Sequence, residues 1–200
     1  MNKREIGKRQ LRMVSTEFKT REDGEDLTIE GYFAVFNSNY DVAPGISESI
    51  APGAFTEALG GDVRALTNHD TTLVLGRNKA ATLELREDAH GLWGKARINP
   101  KDSAATDLYA RVQRGDVDGC SIGFDIAEEE TEFRDNGDVH FTIKRVDPLY
   151  EVSVCTFPAY QETNISARTA QVEEIRKRQA DAWREKMKER LHNGTTSTDA

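Results

Sequence analysis

Three short segments of this chain carry residue types that can run acyl transfer: Thr67-Asn68-His69-Asp70, Gly119-Cys120-Ser121-Ile122-Gly123-Phe124 and Leu149-Tyr150-Glu151-Val152-Ser153. Between them they offer an imidazole, a hydroxyl and a carboxylate. A serine hydroxyl is a poor nucleophile at neutral pH, so it needs a base to take its proton and commonly a third group to fix the tautomer of that base. His69, Ser121 and Glu151 are the candidates for base, nucleophile and orienting acid. Each has a plainer reading beside it. His69 follows the apolar-leaning Val63-Arg64-Ala65-Leu66 and can simply hydrogen-bond within a loop, while Ser121 can be a turn serine at a Gly-rich strand start. Glu151 lies in the largely apolar run from Tyr150 to Phe157, where a lone buried charge is costly and an arginine partner would serve as well as a histidine. Asp70 and Asp147 compete for the third place, and Cys120 competes with Ser121 as nucleophile. Gly119 and Gly123 leave room for a substrate backbone, but this is not the Gly-x-Ser-x-Gly elbow, since the second glycine comes one residue early. His90, His140 and His192 read as surface residues.

The elements that must position these groups are mostly strands. Leu27 to Phe36 alternates, Ala81 to Leu85 and Leu92 to Ile98 form a hairpin around His90-Gly91, and Ser121 to Ala127, Val139 to Val146 and Tyr150 to Phe157 complete the set. Two short helices interrupt them. Gly53 to Leu59 follows Pro52, and Ser103 to Arg114 has Asp102 or Ser103 as its cap, Ala105, Leu108 and Val112 on one face, and Gly115 as its stop. Many short strands with few helices predict a mainly β (α+β) fold, a small closed or partly open β-barrel. From Thr169 to Leu191 the pattern changes: Val172, Ile175, Trp183, Met187 and Leu191 recur at helical spacing, with Gln179 filling the gap, on a highly charged background. That segment reads as one amphipathic helix, packed on its own domain or serving a partner.

Composition bounds the class. The 200 residues, 37% hydrophobic and 31% charged, suit one domain with charged flanks. No apolar run approaches the roughly 18 residues of a membrane span, and the basic N-terminus lacks the apolar stretch of a signal peptide, so a soluble, unsecreted protein without membrane contact is expected. Cys120 and Cys155 form neither a metal-ligand pair nor a disulfide framework and should lie in the interior. With no Cys-x-x-Cys or His-Glu-x-x-His spacing, the reading requires no cofactor. Residues 1–12 carry a net charge of +4, residues 13–166 a net −14 and residues 167–192 a net +3. An acidic body argues against direct nucleic-acid binding by the core domain, because phosphate contacts need a basic surface.

The wording around the three segments adds a resemblance. Gly31-Tyr32-Phe33-Ala34-Val35-Phe36-Asn37, Ile50-Ala51-Pro52-Gly53-Ala54-Phe55, Asn68-His69-Asp70, Gly91-Leu92-Trp93-Gly94, Asp118 to Phe124, and Glu151-Val152-Ser153 through Pro158-Ala159 occur in order. In that order they resemble the prohead (capsid maturation) serine proteases of tailed phages, relatives of the herpesvirus assemblins, over roughly Leu27 to Ala167. The resemblance implies a herpesvirus-protease-like fold and a serine endopeptidase with His69, Ser121 and Glu151 as its catalytic residues. It further implies action inside the procapsid in the host cytoplasm, with the major capsid protein, the scaffold and the enzyme itself as substrates; self-association stays open. The corresponding division is a basic N-terminal arm (1–26), a protease domain (27–167), a charged helix that self-cleavage can remove (168–192) and a disordered tail (193–200). The alternatives are a non-catalytic assembly or scaffolding factor with a degenerate protease fold, and an unrelated small-ligand-binding barrel.

Overall fold

The computed structural model describes residues 10–15, 17–23, 26–156 and 162–195. Within them the chain forms, in order, β1 (Gln10–Ser15), β2 (Lys19–Asp23), β3 (Asp26–Val35), β4 (Tyr40–Ala43), β5 (Ile46–Ile50), β6 (Arg64–Thr67), β7 (Asp70–Arg77), β8 (Leu83–Glu87), β9 (Gly91–Ile98), α1 (Ser103–Arg114), β10 (Gly119–Phe133), β11 (Val139–Cys155) and α2 (Glu162–Thr195). The fold is mainly β with few helices, in two sheets. One is antiparallel, in the order β2-β3-β9-β8. The other is built on β11, which has β10 antiparallel on one edge, with β1 beyond it. The opposite edge of β11 is shared between two parallel partners. Val139 to Ile143 run beside β5, which carries β4, and Glu151 to Val154 run beside β6, which carries β7.

Strand alternation explains why the two sheets share a core. Ile29, Phe33, Leu92 and Ile98 from the smaller sheet meet Cys120, Ile122, Phe124, Val152 and Val154 from the larger, with Leu108, Tyr109 and Val112 of α1 closing the cluster. Each large apolar side chain removed from water in this way contributes about 1.5–3 kcal/mol. The glycines of Gly91-Leu92-Trp93-Gly94 serve this packing. A Cβ on Gly91 would sit 2.0 Å from the Ala34 carbonyl oxygen, and one on Gly94 would sit 2.8 Å from the Phe33 ring. The helix α1 has the predicted ends: the Asp102 carboxylate accepts from the Ala104 and Ala105 N–H groups, and Gly115 takes φ +84°.

Several expectations are corrected. The sheets open before Leu27, since β1 pairs with β10 and β2 with β3, which brings described residues of the supposed arm into the body. Val139–Val146 and Tyr150–Phe157 are not two strands but the single β11, ending at Cys155; Phe157 lies outside the described residues. Asp147-Pro148 falls where the β10–β11 ladder shifts register, so the missing proline N–H costs no ladder bond. Gly53–Leu59 is a series of turns with a 3-10 turn at Ala58–Gly60 rather than an α-helix. There the Glu87 carboxylate accepts from the Phe55 N–H and the Thr56 hydroxyl, a local alternative to helical bonding. His140 is no surface residue: it is 7% exposed, because β11 is central, and its ring lies between the hydroxyls of Ser47 and Ser49 at 2.8 and 2.9 Å. His90 is exposed as expected, and the side chain of His192 lies outside the described residues.

The helix α2 runs past the predicted ends, continuing through Asn193-Gly194 to Thr195. Its apolar stripe divides. Val172 and Ile175 pack on Ile46, Val139 and Phe141, and Gln171 and Arg176 hydrogen-bond to Glu129 and the Gly137 carbonyl. Farther along, Trp183 and Met187 are exposed. Among the described residues no helix is long and apolar enough to cross a membrane.

Candidate active site

Alternation along β10 and β11 sends Cys120, Ile122, Val152 and Val154 into the core and turns Ser121, Glu151, Ser153 and Cys155 to the opposite face. Ser121 stands directly across the ladder from Ser153, with Gly119 opposite Cys155 and Gly123 opposite Glu151. A Cβ on Gly119 would sit 2.8 Å from the Cys155 carbonyl oxygen, so the close approach of β10 to β11 beside Ser121 requires a glycine there. His69 reaches this face from the β6–β7 connection, where Asn68 and His69 both have positive φ (+49° and +62°), the backbone twist of a tight primed hairpin turn. That turn is clamped to the end of β11. The Asn68 N–H donates to the Val154 carbonyl (2.9 Å), the Thr156 N–H to Asn68 Oδ1 (2.9 Å) and the His69 N–H to Ser153 Oγ (3.2 Å).

The imidazole spans the face. Its Nδ1 lies 2.7 Å from Glu151 Oε1, and its Nε2 lies 3.9 Å from Cys155 Sγ. A carboxylate oxygen accepts, so Nδ1 carries the proton and Nε2 presents its lone pair. These two contacts set the imidazole beside the strand face that carries Glu151, Ser153 and Cys155, and Ser153 is the residue opposite Ser121. The structure thus brings His69 and Glu151 into direct contact and places Ser121 one cross-strand step away. The Ser121 hydroxyl is fully buried and has no hydrogen-bond partner among the described residues. An orphaned buried hydroxyl costs about 1–3 kcal/mol and calls for a reason, of which a catalytic role is one.

The competitors are occupied elsewhere. Asp70 Oδ1 accepts from the Thr72 hydroxyl and N–H, which together hold its carboxyl below the usual range. Asp147 lies 3.9 Å from Arg145 at the surface. Cys120 is on the core face, where its thiol donates to the Tyr32 carbonyl. Both cysteines are buried. Cys155 touches the imidazole, yet burial, reinforced by the Glu151 charge, pushes its thiol up to about 12, so it stays protonated and weakly nucleophilic at neutral pH. The sequence reading passed over Ser153 and Cys155 as members of the site. The two-residue period from Glu151 would have put them on its face.

The chain matches the family described as caudovirus prohead serine protease over residues 15–178. It is 35% identical over 161 residues to the prohead protease of Enterobacteria phage HK97, a match spanning 78% of this chain and 67% of the relative. The solved capsid assembly protease of bacteriophage T4 aligns at a TM-score of 0.46 and 16% identity, covering 76% of this chain and all of that one. A serine with an imidazole turned toward its face fits what the family's description requires, and the chain belongs to the caudovirus prohead serine protease family, as a serine-type peptidase of capsid maturation.

Proposed function

We propose that Ser121 is the nucleophile, His69 the general base and acid, and Glu151 the group that orients the imidazole. The observation that carries this assignment is the 2.7 Å contact between His69 Nδ1 and Glu151, which leaves Nε2 turned to the face that bears Ser121. As Ser121 Oγ attacks a peptide carbonyl, Nε2 takes the hydroxyl proton and then gives it to the leaving amine. A water deprotonated by the same nitrogen releases the acyl group. Glu151 stabilises the imidazolium through both steps without itself accepting the proton. Because the Ser121 hydroxyl is covered, a substrate strand reaches it only after the covering groups move.

The substrates in this proposal are segments of the major capsid protein and the scaffold, and the enzyme's own C-terminal region, within the procapsid in the host cytoplasm. The name of the HK97 relative supports the setting. Confinement raises local substrate concentration and offsets a modest intrinsic rate. Within the same proposal the residues up to about Ala167 are the protease body, its two sheets form a partly open barrel of the herpesvirus-protease kind, and the helix beyond is removable. The shared core between the sheets supports the barrel reading. Co-expression of the chain, or its Ser121→Ala variant, with the phage's own capsid protein tests the assignment by intact mass. Shortening of capsid protein or enzyme by wild type alone is expected. Equal behaviour of the two would make Ser121 structural and leave an assembly factor.

A further inference from the structure

We propose that Ser153 is a positioning residue of this peptidase, holding the carboxylate and the imidazole in one hydrogen-bonded ring. The proposal rests on the assignment of His69, Ser121 and Glu151 above. Three bonds close the ring: the His69 N–H donates to Ser153 Oγ at 3.2 Å, the Ser153 hydroxyl donates to Glu151 Oε2 at 2.5 Å, and Glu151 Oε1 accepts from His69 Nδ1 at 2.7 Å. The main chain and the ring of His69 are thereby tied to the same carboxylate by different routes, which defines the direction of Nε2. A hydroxyl has one proton, and here its short bond goes to the carboxylate; charge-assisted bonds of this kind are the strong ones. Ser153 is fully buried and directly opposite Ser121, so its hydroxyl is shielded from water at the point where the imidazole must meet the nucleophile. Without it, Glu151 loses a donor that fixes its carboxylate plane, and the His69 turn loses its side-chain anchor. Misplacement of a reacting group by about 1 Å can cost about 100-fold in rate.

The test uses a fluorophosphonate on the full chain, with labelling followed by intact mass and mapped by peptide mass. In that reaction a P–O bond forms at Ser121, the P–F bond breaks, fluoride departs and His69 takes the hydroxyl proton. Ser153→Ala is expected to lower the limiting labelling rate about 10- to 100-fold while the half-saturating reagent concentration changes less than about twofold, and Ser153→Thr, which keeps the hydroxyl, recovers most of the rate. In a Glu151→Gln background, Ser153→Ala should add little, because both changes act through one carboxylate. Ser121-specific labelling that is indifferent to Ser153→Ala, or a loss that persists in full beside Glu151→Gln, overturns the role of Ser153 alone. Labelling that survives in Ser121→Ala, or wild type that does not label at Ser121, overturns the catalytic assignment beneath it.

Discussion

Arg12 and Glu48 are 5% and 1% exposed and form a buried ion pair that ties β1 to β5 across the larger sheet. Arg12 Nη2 also donates to Glu48 Oε2 at 2.8 Å, and the guanidinium stands over the Phe124 ring. Burial alone would disfavour the charged guanidinium, yet attraction and hydrogen bonding from Glu48 leave its pKa raised. Glu48→Gln keeps the volume and removes the countercharge. Breaking a buried pair from one side costs about 3–5 kcal/mol, because a charge stays behind in a poorly solvating site. With a urea m-value of about 2 kcal/mol/M, that loss lowers the unfolding midpoint by about 1.5–2.5 M. At about 2–4 °C per kcal/mol for a chain of this size, the melting temperature falls by about 6–20 °C. Arg12→Met combined with Glu48→Met removes both charges and should recover most of the loss, since apolar replacements of buried pairs are often neutral. Urea unfolding by circular dichroism reads all three proteins. A Glu48→Gln loss below about 1 kcal/mol, the scale of an exposed pair, would refute the reasoning, as would a double variant no better than the single one.

Other outcomes follow from the same structure. Burial, assisted by Arg134 and opposed by Glu132 and Glu48, lowers the His140 pKa, so below its ordinary value near 6.5 the unfolded chain binds a proton that the folded one resists. Stability should therefore fall as pH drops through that window, by at most about 1.4 kcal/mol per pH unit for this group, and His140→Gln should flatten that part of a pH series of urea midpoints. The Cys155 thiol, pushed up to about 12, should resist iodoacetamide at pH 8 in the native protein and react once urea unfolds it; rapid native alkylation at Cys155 would contradict its burial. Gly91→Ala forces a methyl into the Ala34 carbonyl and should destabilise by more than about 2 kcal/mol, read as a lowered melting temperature, whereas Gly60→Ala, whose Cβ meets nothing within 4 Å, should not.

The parts of the fold legible in the sequence are those specified locally. The α1 helix was bounded by Asp102 and Gly115, and β3 and the β8–β9 hairpin by alternation and a turn at His90-Gly91. What escaped depends on distant partners. Lys19-Thr20-Arg21-Glu22-Asp23 has no apolar period and is a strand only because β3 offers it an edge. His140 sits in an acidic stretch of sequence, yet serines more than 90 positions away enclose it. For the site, residue types left His69 with a plain loop reading and Glu151 in competition with Asp70 and Asp147; the family resemblance singled out the pair that the structure brings into contact. The two-residue period from Glu151 puts Ser153 on the same strand face, but its place opposite Ser121 follows only from the β10–β11 register.

The shared edge of β11 also constrains how this chain can tolerate insertions and deletions. Seventeen residues long, β11 docks α2 through Val139 and Phe141 at one end and carries Glu151, Ser153 and Cys155 at the other, about 40 Å away at strand rise. Its register is set twice, by β5 at the first end and by β6 at the second. A single residue gained or lost within the segments that face β5 or β6 would turn the side chains beyond it to the wrong face, since they alternate strictly along a strand. The irregular stretch around Asp147-Pro148, where β10 and β11 already fall out of step, is the place with slack to absorb such a change. Length variation compatible with a working site should therefore collect there, while the segments facing β5 and β6 keep constant length.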